Sequence, residues 1–242
     1  MTDRLAKNHL EKEHLEEIQA QAEQWPAEEV LRWASNTFQE EVEMASGFGV
    51  EGMVLIDIAS QLNLGVKVFT LDTEFLFPET YDLIRRVEER YGIAVERVRS
   101  SLTAAEQERT LGAELWNSNP DQCCNVRKVE PLRKKLSDLR AWITAIRRNQ
   151  TSFRANAHKI EWDEKFQLVK INPIVDWTKE EVWSYVRKHD VPYNPLHDQN
   201  YPSIGCTHCT RAVLPGEDPR AGRWAGLKKT ECGLHLTVTP AK

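Results

Sequence analysis

The sequence lacks the features of a protein that enters a membrane. Its 242 residues contain no run of about 18 consecutive apolar residues, the length that a membrane-spanning helix needs. The N-terminus, MTDRLAKNHLEKEHLEE, carries too many charges for a secretory signal peptide. We therefore expect a cytoplasmic protein without a membrane partner, in which thiols stay reduced and structural disulfides are rare.

The sequence also lacks the excess positive charge of a nucleic-acid-binding protein. It has 32 Lys and Arg against 37 Asp and Glu, so the formal net charge is −5. The basic residues instead cluster locally, at 127–135, 147–154 and 220–229. Local cations in a mildly acidic chain favour a small anionic ligand and no nucleic acid, although solvated helix faces produce the same pattern.

The order of apolar runs predicts an α/β fold. Strand-like runs alternate with helical patterns, as in a mostly parallel sheet with helices on both faces. The predicted strands are 65–71, 93–98, 141–146 and 167–171. The predicted helices are 9–24, 27–38, 51–62, 78–91, 103–116, 126–137 and 178–189. Thr178 and Glu181 have the spacing of a capping box at the start of the last helix.

We divide the chain into three parts. Residues 1–39 form an N-terminal helical segment, residues 40–190 an α/β core with the first cysteine pair, and residues 191–242 a loop-rich tail. The tail is rich in proline and glycine and holds three of the five cysteines. Long irregular segments of compact proteins are usually functional or disordered, and the cysteines favour a functional tail.

Four of the five cysteines form two pairs. Cys123 and Cys124 are adjacent and come just before a predicted helix, whereas Cys206 and Cys209 form a C-x-x-C pair in the tail. Four thiolates can enclose a tetrahedral zinc ion or a four-iron cluster. Adjacent ligands are unusual for zinc, so we favour iron–sulfur. A thioredoxin-type redox pair and buried cysteines without a role stay open as alternatives.

Cys232 stands apart in the last part of the sequence. Lys228, Lys229 and His235 are candidate cations that would favour its thiolate, whereas Glu231 would oppose it. Gly233 follows directly and permits motion. From the local sequence alone, an accidental surface cysteine is an equally good interpretation.

Two segments suit an anionic ligand, one after a possible short strand and one at the end of a predicted strand. Ser46-Gly47-Phe48-Gly49 precedes an apolar helix, whose N-terminal N–H groups can face a phosphate. It matches neither the Walker sequence nor the dinucleotide fingerprint, and an ordinary turn would look the same. Leu71-Asp72-Thr73 ends a predicted strand, where open parallel sheets bind ligands, although Asp72 could equally cap a helix.

Arginines are concentrated in two loops. One follows the strand 141–146 and contains Arg147, Arg148 and Arg154, and the other contains Arg220 and Arg223. The forked guanidinium group matches the oxygens of phosphate or sulfate. Surface loops without a ligand remain the alternative for each.

A set of ordered motifs runs from about residue 40 to residue 239. The motifs are Cys123-Cys124 with Arg127-Lys128 and Pro131-Leu132, then 141–144, 147–150, 170–173, 177, 181–183, 192–196, 201–209, 220–224 and 231–235. Together they resemble the bacterial iron–sulfur adenylyl-sulfate (APS) reductases, which belong to the assimilatory sulfonucleotide (APS/PAPS) reductases.

The resemblance implies an adenine nucleotide alpha hydrolase-like fold and assigns roles to the candidate residues. Residues 46–52 would form a phosphate loop, with the segment 71–73 near the nucleotide and the loop 147–154 beside the substrate. Cys232 would be the nucleophile. The further catalytic candidates are His235, Arg220, Arg223 and Lys128. A [4Fe-4S] cluster would be held by Cys123, Cys124, Cys206 and Cys209.

The activity implied by the resemblance is thioredoxin-dependent reduction of adenylyl sulfate to sulfite and AMP, through an S-sulfocysteine intermediate, in sulfate assimilation and cysteine biosynthesis. Relatives that prefer 3′-phosphoadenylyl sulfate (PAPS) lack the paired cysteines, so this chain is expected to use the nucleotide without the 3′-phosphate. It has no thioredoxin-like domain, so thioredoxin would be an external partner. A homo-oligomer is expected.

Two residues depart from the family pattern. Gly52 follows Glu51 where an aspartate is common, and Glu74 stands where glycine is common. We expect both changes to affect the nucleotide side rather than the sulfur chemistry. They leave PAPS reduction or dual activity open, and less favoured alternatives are an adenylating enzyme with a similar loop and a zinc-binding interaction module.

Overall fold

The computed structural model describes residues 15–227, 229 and 231–235. Residues 15–22 are helical, in agreement with part of the predicted helix 9–24, whose residues 9–14 lie outside the described residues. No helix within the described ranges has both the length and the apolar character needed to cross a bilayer.

A six-stranded sheet in the order β3-β2-β1-β4-β6-β5 forms the centre of the molecule. The strands are β1 Val42–Ala45, β2 Lys67–Asp72, β3 Val95–Arg99, β4 Ala141–Ile143, β5 Ile160–Asp163 and β6 Leu168–Ile171. All neighbours pair in parallel except β5 and β6. The predicted α/β fold with a mostly parallel sheet is confirmed. The edge strand β5 was not predicted, because after Ile160 its side chains are only half-buried and give no apolar run.

Helices connect the strands. They are α1 Ala27–Phe38, α2 Val50–Gln61, α3 Pro78–Tyr91, α4 Ala104–Leu111, α5 Leu115–Ser118, α6 Pro120–Cys124, α7 Glu130–Leu136 and α8 Lys179–His189. The capping box of α8 is confirmed: the Thr178 N–H donates to Glu181 Oε2 over 2.6 Å, and Thr178 Oγ1 accepts from the Glu181 N–H over 3.1 Å.

Two helix predictions were wrong in their bounds. The predicted helix 103–116 ends at Leu111, because Gly112 has a φ of 100°. The predicted helix 126–137 begins earlier, so the cysteine pair lies inside α6 and not before a helix. A π-helical turn, Asn125–Val129, joins α6 to α7. Pro131 explains the turn, because it has no N–H for the preceding carbonyls and its ring crowds them.

Side chains alternate between the two faces of the sheet. Val42 and Met44 join the larger core, which packs against residues 15–22, α1, α2, α3 and α8. On the opposite face Phe69, Trp142 and Leu168 pack against α7. Both faces are therefore covered, as expected for a parallel sheet.

Candidate active site

A cavity of about 670 Å³ lies at the carboxyl ends of β1, β2 and β4, and we name it the edge cavity. The strand order reverses between β1 and β4, which is where open α/β sheets bind ligands. Its volume falls in the range of about 300–1,000 Å³ that is typical of small-molecule sites. The predicted site residues that line it are Ser46, Gly47, Gly49, Leu71, Lys128, Arg147, Arg154, Arg220, Arg223, Cys232 and His235.

The loop between β1 and α2 forms one wall of the edge cavity. The Ser46 N–H donates to the Phe69 carbonyl over 2.9 Å, and Ser46 Oγ accepts from the Phe48 N–H over 3.1 Å. Phe48 has a φ of 56° and its ring is buried in the core, so it does not line the cavity. At Gly52 a Cβ atom would lie 2.5 Å from Ser46 Oγ. The missing side chain of Gly52 therefore leaves room for the hydroxyl that shapes this loop.

The end of β2 turns away from the edge cavity after Leu71. The Asp72 carboxylate accepts hydrogen bonds from Tyr81 Oη over 2.7 Å and from Arg99 Nε over 2.8 Å. Burial would raise the pKa of Asp72, but the hydrogen bonds from Tyr81, the Glu74 N–H and Arg99 lower it. Thr73 Oγ1 lies 3.4 Å from Cys206 Sγ. The side chains of Asp72 and Thr73 thus do not line the edge cavity.

The side chain of Glu74 also points away from the nucleotide side. Its Oε2 accepts from Arg127 Nη1 over 2.6 Å, and Arg127 lines the site formed by the paired cysteines. The expectation that this departure affects the nucleotide side was wrong. The cause is the turn after Asp72, which brings the chain beside the tail, where the Phe75 carbonyl accepts the Thr207 N–H.

The three arginines of the loop 147–154 have different surroundings. Arg147 Nη2 donates to Glu51 Oε1 over 2.9 Å at the cavity wall. Arg148 does not line the cavity, because its guanidinium group pairs with Glu23 over 2.6 Å and donates to the Ala157 carbonyl. Gln150, which sequence reasoning missed as a site residue, also lines the cavity and donates to Glu51 over 3.0 Å.

Glu231 connects the tail to this arginine loop. Its buried carboxylate lies 3.0 Å from Arg154 Nη2 and 3.4 Å from Arg220 Nη2. These contacts place the neighbouring Cys232 at the edge cavity. From the sequence we expected Glu231 to oppose the thiolate, but the two arginines balance its charge. Only its position beside Cys232 could have marked it in the sequence.

Arg223 and His235 complete the tail side of the cavity. Arg223 Nη1 donates to Ser203 Oγ over 3.1 Å, and its guanidinium group lies 4.5 Å from the Trp224 ring centre. The His235 ring stacks on Trp142 at 5.7 Å with an interplanar angle of 10°. Burial, reinforced by Arg154 and other cations, holds the pKa of His235 well below its usual value. The expectation that His235 supplies positive charge therefore needs correction: its ring is neutral near pH 7.

The paired cysteines meet in a second site, which we name the cysteine pocket. Cys123, Cys124, Cys206 and Cys209 line an enclosed void of about 10 Å³, together with Arg127, Lys128 and several aromatic rings. Burial, then the neighbouring thiolates, raises the pKa of both Cys123 and Cys209 to about 11. All five cysteines are free thiols, and no three His, Cys, Asp or Glu side chains within the described residues are arranged around a single metal ion.

Two buried donors at the cysteine pocket have no acceptor within the described part of the chain. They are Arg127 Nη2 and Trp224 Nε1, and both residues line the void. Buried N–H groups are nearly always hydrogen-bonded, so an unpaired pair beside four thiols indicates acceptors that the chain itself does not supply. The donor set, four thiols and two N–H groups, fits a sulfur-rich inorganic cluster.

Lys128 forms a wall shared by the two sites. Burial would lower the pKa of Lys128, but the negative charges of Cys206, Cys232 and Cys124 raise it above its usual value. Lys229 lies on the cysteine side, where it pairs with Asp121. Lys128 thus lies between the paired cysteines and Cys232.

The comparison with known families identifies the chain as a sulfonucleotide reductase, in agreement with its fold. The model of the phosphoadenosine phosphosulfate reductase domain matches residues 41–212. The chain belongs to this family, whose members are oxidoreductases.

Within the family, the chain is similar to the bacterial adenosine 5′-phosphosulfate reductases, as the sequence motifs predict. It is 49% identical over 208 residues to that enzyme of Shouchella clausii (strain KSM-K16), covering 86% of each chain. It is 50% identical over 211 residues to adenosine 5′-phosphosulfate reductase 2 of Bacillus subtilis (strain 168), covering 86% of this chain and 88% of the relative. The resemblance to this group is confirmed.

Solved structures support the fold assignment. The phosphoadenylyl-sulfate (PAPS) reductase of Candida auris, in a phosphate complex, superposes with a TM-score of 0.73 at 32% identity, over 84% of this chain and 97% of that chain. FMN adenylyltransferase of Candida glabrata has a TM-score of 0.55 at 14% identity, over 83% of this chain and 70% of that chain, and shares the fold alone. The predicted adenine nucleotide alpha hydrolase-like fold is confirmed.

Proposed function

We propose that this chain reduces adenylyl sulfate to sulfite and AMP, with Cys232 as nucleophile and thioredoxin as reductant. The observation that carries the proposal is the position of Cys232 in one cavity with the loop 46–49 and four arginines, Arg147, Arg154, Arg220 and Arg223. The relatives at 49% and 50% identity are named for the nucleotide without the 3′-phosphate, which supports this substrate.

The edge cavity offers separate groups to the two anionic ends of the substrate. The N–H groups at the start of α2 are suited to the phosphate of the nucleotide. The guanidinium groups of Arg220 and Arg223 are suited to the sulfate. On substrate binding, Arg154 and Arg220 would exchange the Glu231 carboxylate for a substrate oxyanion.

In the first step, the Cys232 thiolate attacks the sulfur atom of the sulfate group. The S–O bond to the phosphate breaks, AMP leaves with the bonding electron pair, and Cys232 carries an S-sulfonate group. Lys128, Lys165 and Arg220 lie within electrostatic reach of Cys232. His235, being neutral, would offer a hydrogen bond rather than a charge, and its buried Nδ1 has no partner within the described residues.

In the second step, a thiolate of thioredoxin attacks Cys232 Sγ and releases sulfite. A mixed disulfide forms, and the second thioredoxin thiolate resolves it, so that Cys232 returns as a thiolate and thioredoxin leaves oxidised. The dithiol supplies both electrons. The sulfite would serve sulfate assimilation and cysteine biosynthesis, and homo-oligomeric assembly stays a prediction.

We further propose that Cys123, Cys124, Cys206 and Cys209 hold a [4Fe-4S] cluster. The unpaired N–H groups of Arg127 and Trp224 support a group with sulfur acceptors. The adjacent positions of Cys123 and Cys124 support a cluster over zinc, whose paired ligands usually have two to four residues between them. When bound, the cluster would supply charge and structural order beside Lys128.

Mass spectrometry tests the nucleophile. After incubation with adenylyl sulfate and no reductant, the peptide that contains Cys232 should gain the mass of one SO3 group and lose it on addition of thioredoxin. The matched control is Cys232→Ser, which keeps the size of the side chain. An adduct on the Cys232→Ser protein would overturn the assignment.

Two further measurements test the substrate and the cluster. Turnover on adenylyl sulfate should exceed turnover on 3′-phosphoadenylyl sulfate, and the reverse order would identify a PAPS reductase. Anaerobically prepared protein should be brown, absorb broadly in the visible blue and contain four irons per chain. A colourless protein with one zinc per chain would overturn the cluster assignment.

A further inference from the structure

Glu74 occupies a backbone conformation that favours glycine. Its φ is 61°, in the left-handed region, at the turn that follows β2. A residue with a Cβ atom has a strained backbone in this conformation. We therefore expect the side chain of Glu74 to make a contact that compensates for the strain. The Glu74 N–H donates to Asp72 Oδ1 over 3.0 Å, whereas the carboxylate reaches Arg127, which lines the cysteine pocket.

The carboxylate of Glu74 makes two short hydrogen bonds. Oε2 accepts from Arg127 Nη1 over 2.6 Å and from the Ala104 N–H, at the start of α4, over 2.9 Å. Arg127 is buried, so its guanidinium charge needs a counter-charge. Within the described residues, Glu74 is the carboxylate that forms an ion pair with it.

Arg127 in turn holds the groups around the cysteine pocket. Its Nε donates to Gln107 Oε1 over 2.6 Å, and the Gln107 amide lies 3.9 Å from Cys123 Sγ. The guanidinium carbon lies 5.1 Å from the Phe75 ring centre. Arg127 therefore contacts both a neighbour of Cys123 and part of the aromatic wall.

The aromatic wall consists of Phe75, Trp116 and His208, all of which line the cysteine pocket. Trp116 and His208 stack with ring centres 3.9 Å apart, and Phe75 meets them edge-on at 5.3 and 5.0 Å. The Phe75 carbonyl also accepts the Thr207 N–H over 2.8 Å. The segment that bears Glu74 is thus attached to the C-x-x-C turn.

We propose that Glu74 is a positioning residue for the cysteine pocket: it fixes Arg127, and through Arg127 the aromatic wall and Gln107, against the four thiols. The inference rests on the proposed cluster for its function, but its geometry stands on the protein alone. Glu74 balances the charge of Arg127 while leaving Arg127 Nη2 unpaired for the pocket.

A role confined to the loop would have different consequences. If Glu74 only completed the turn, Glu74→Gly would relieve the strained φ and leave the cysteine pocket unchanged. If Glu74 positions Arg127, the same change would loosen the pocket even as the backbone relaxes. Glu74→Gln separates the two effects, because it keeps the side-chain size and an oxygen acceptor but removes the charge.

The experiment compares iron loss to a chelator from holoprotein, monitored by visible absorption, in the wild type, Glu74→Gly and Glu74→Gln. The matched control is Asn63→Gly, which relieves another left-handed φ, of 50°, after α2. We expect both Glu74 variants to lose iron at least about threefold faster, with Asn63→Gly unchanged. Wild-type rates in both Glu74 variants would overturn the inference.

A second readout separates this inference from the proposed cluster. In metal-free protein, alkylation of Cys123 can be followed by mass spectrometry, and we expect it to be at least about threefold faster in Glu74→Gly than in the wild type. If wild-type protein takes up no iron, the cluster proposal fails and the alkylation rates alone decide. Equal alkylation rates would then overturn the role of Glu74.

Discussion

The edge cavity and the cysteine pocket share Lys128 as a wall, yet their charged groups are balanced in different ways. In the edge cavity, Arg147 pairs with Glu51 and Arg154 with Glu231, although the buried Nε atoms of Arg154 and Arg223 have no acceptor within the described residues. The cysteine pocket also has two unpaired donors, but its lining within the described residues contains four thiols and no carboxylate. The first arrangement suits a substrate that displaces the internal carboxylates at each turnover. The second suits a group that remains bound throughout catalysis.

The largest expected effect is a loss of activity without a loss of iron when Cys232 is replaced. We expect Cys232→Ser to lower sulfite formation at least about 10³-fold, because a hydroxyl is a far weaker nucleophile than a thiolate. Iron content should stay at the wild-type level, since Cys232 does not line the cysteine pocket. Sulfite release and iron analysis on the same preparation check this. Loss of iron in Cys232→Ser would mean that the two sites are not independent.

Two arginine variants test whether residues of the loop 147–154 that line the edge cavity contribute more to activity than residues that do not. Arg154→Ala removes a cavity cation and leaves Glu231 with fewer partners, so we expect kcat/KM to fall about 10²-fold. Arg148→Ala is the matched control, because Arg148 pairs with Glu23 outside the cavity. It should lower the unfolding temperature but leave kcat/KM near that of the wild type. Equal losses of kcat/KM would contradict the separation of the two arginines.

Exchange between Glu231 and an external anion can be measured directly. Glu231→Gln removes the internal carboxylate from Arg154 and Arg220, so we expect inorganic sulfate to bind about three- to tenfold more tightly by calorimetry. Glu217→Gln is the control, because it removes a carboxylate from the exposed Arg211 pair. Unchanged sulfate affinity in Glu231→Gln would show that the carboxylate does not compete with anions.

The smallest effect concerns the cysteine pocket without metal. The pKa of Cys123 and of Cys209 is raised from 9.0 to about 11, so the folded state keeps protons that the unfolded state loses. Their contribution to stability is therefore present below pH 9 and is lost as the pH rises toward 11. Denaturant unfolding of metal-free protein should show this decline, and Cys123→Ala should reduce it. A pH-independent free energy of unfolding across this range would contradict the burial of the thiols.

Sequence reasoning was most successful where the signal is local. The capping box of α8 and the strand-and-helix order follow from short patterns and appear in the structure. The family motifs also identified the cysteines that meet in one pocket, although they lie more than eighty residues apart. That result came from recognising an ordered set of motifs, since spacing alone left zinc and iron–sulfur open.

Residues whose surroundings depend on distant contacts were missed. Glu231 is buried because Arg154, far away in the sequence, comes to it, and no local pattern indicates that contact. Glu74 points to the cysteine pocket because of a left-handed turn that its residue type does not predict. The neutral state of His235 likewise depends on burial and on cations from other segments.

The close approach of Gly52 to Ser46 restricts how this chain could have diverged from its relatives. A Cβ atom at position 52 would lie 2.5 Å from the Ser46 hydroxyl, which accepts the Phe48 N–H. Aspartate, common at this place in the family, cannot enter unless residue 46 changes or moves. We therefore expect the effect of a substitution at position 52 to depend on the residue at position 46.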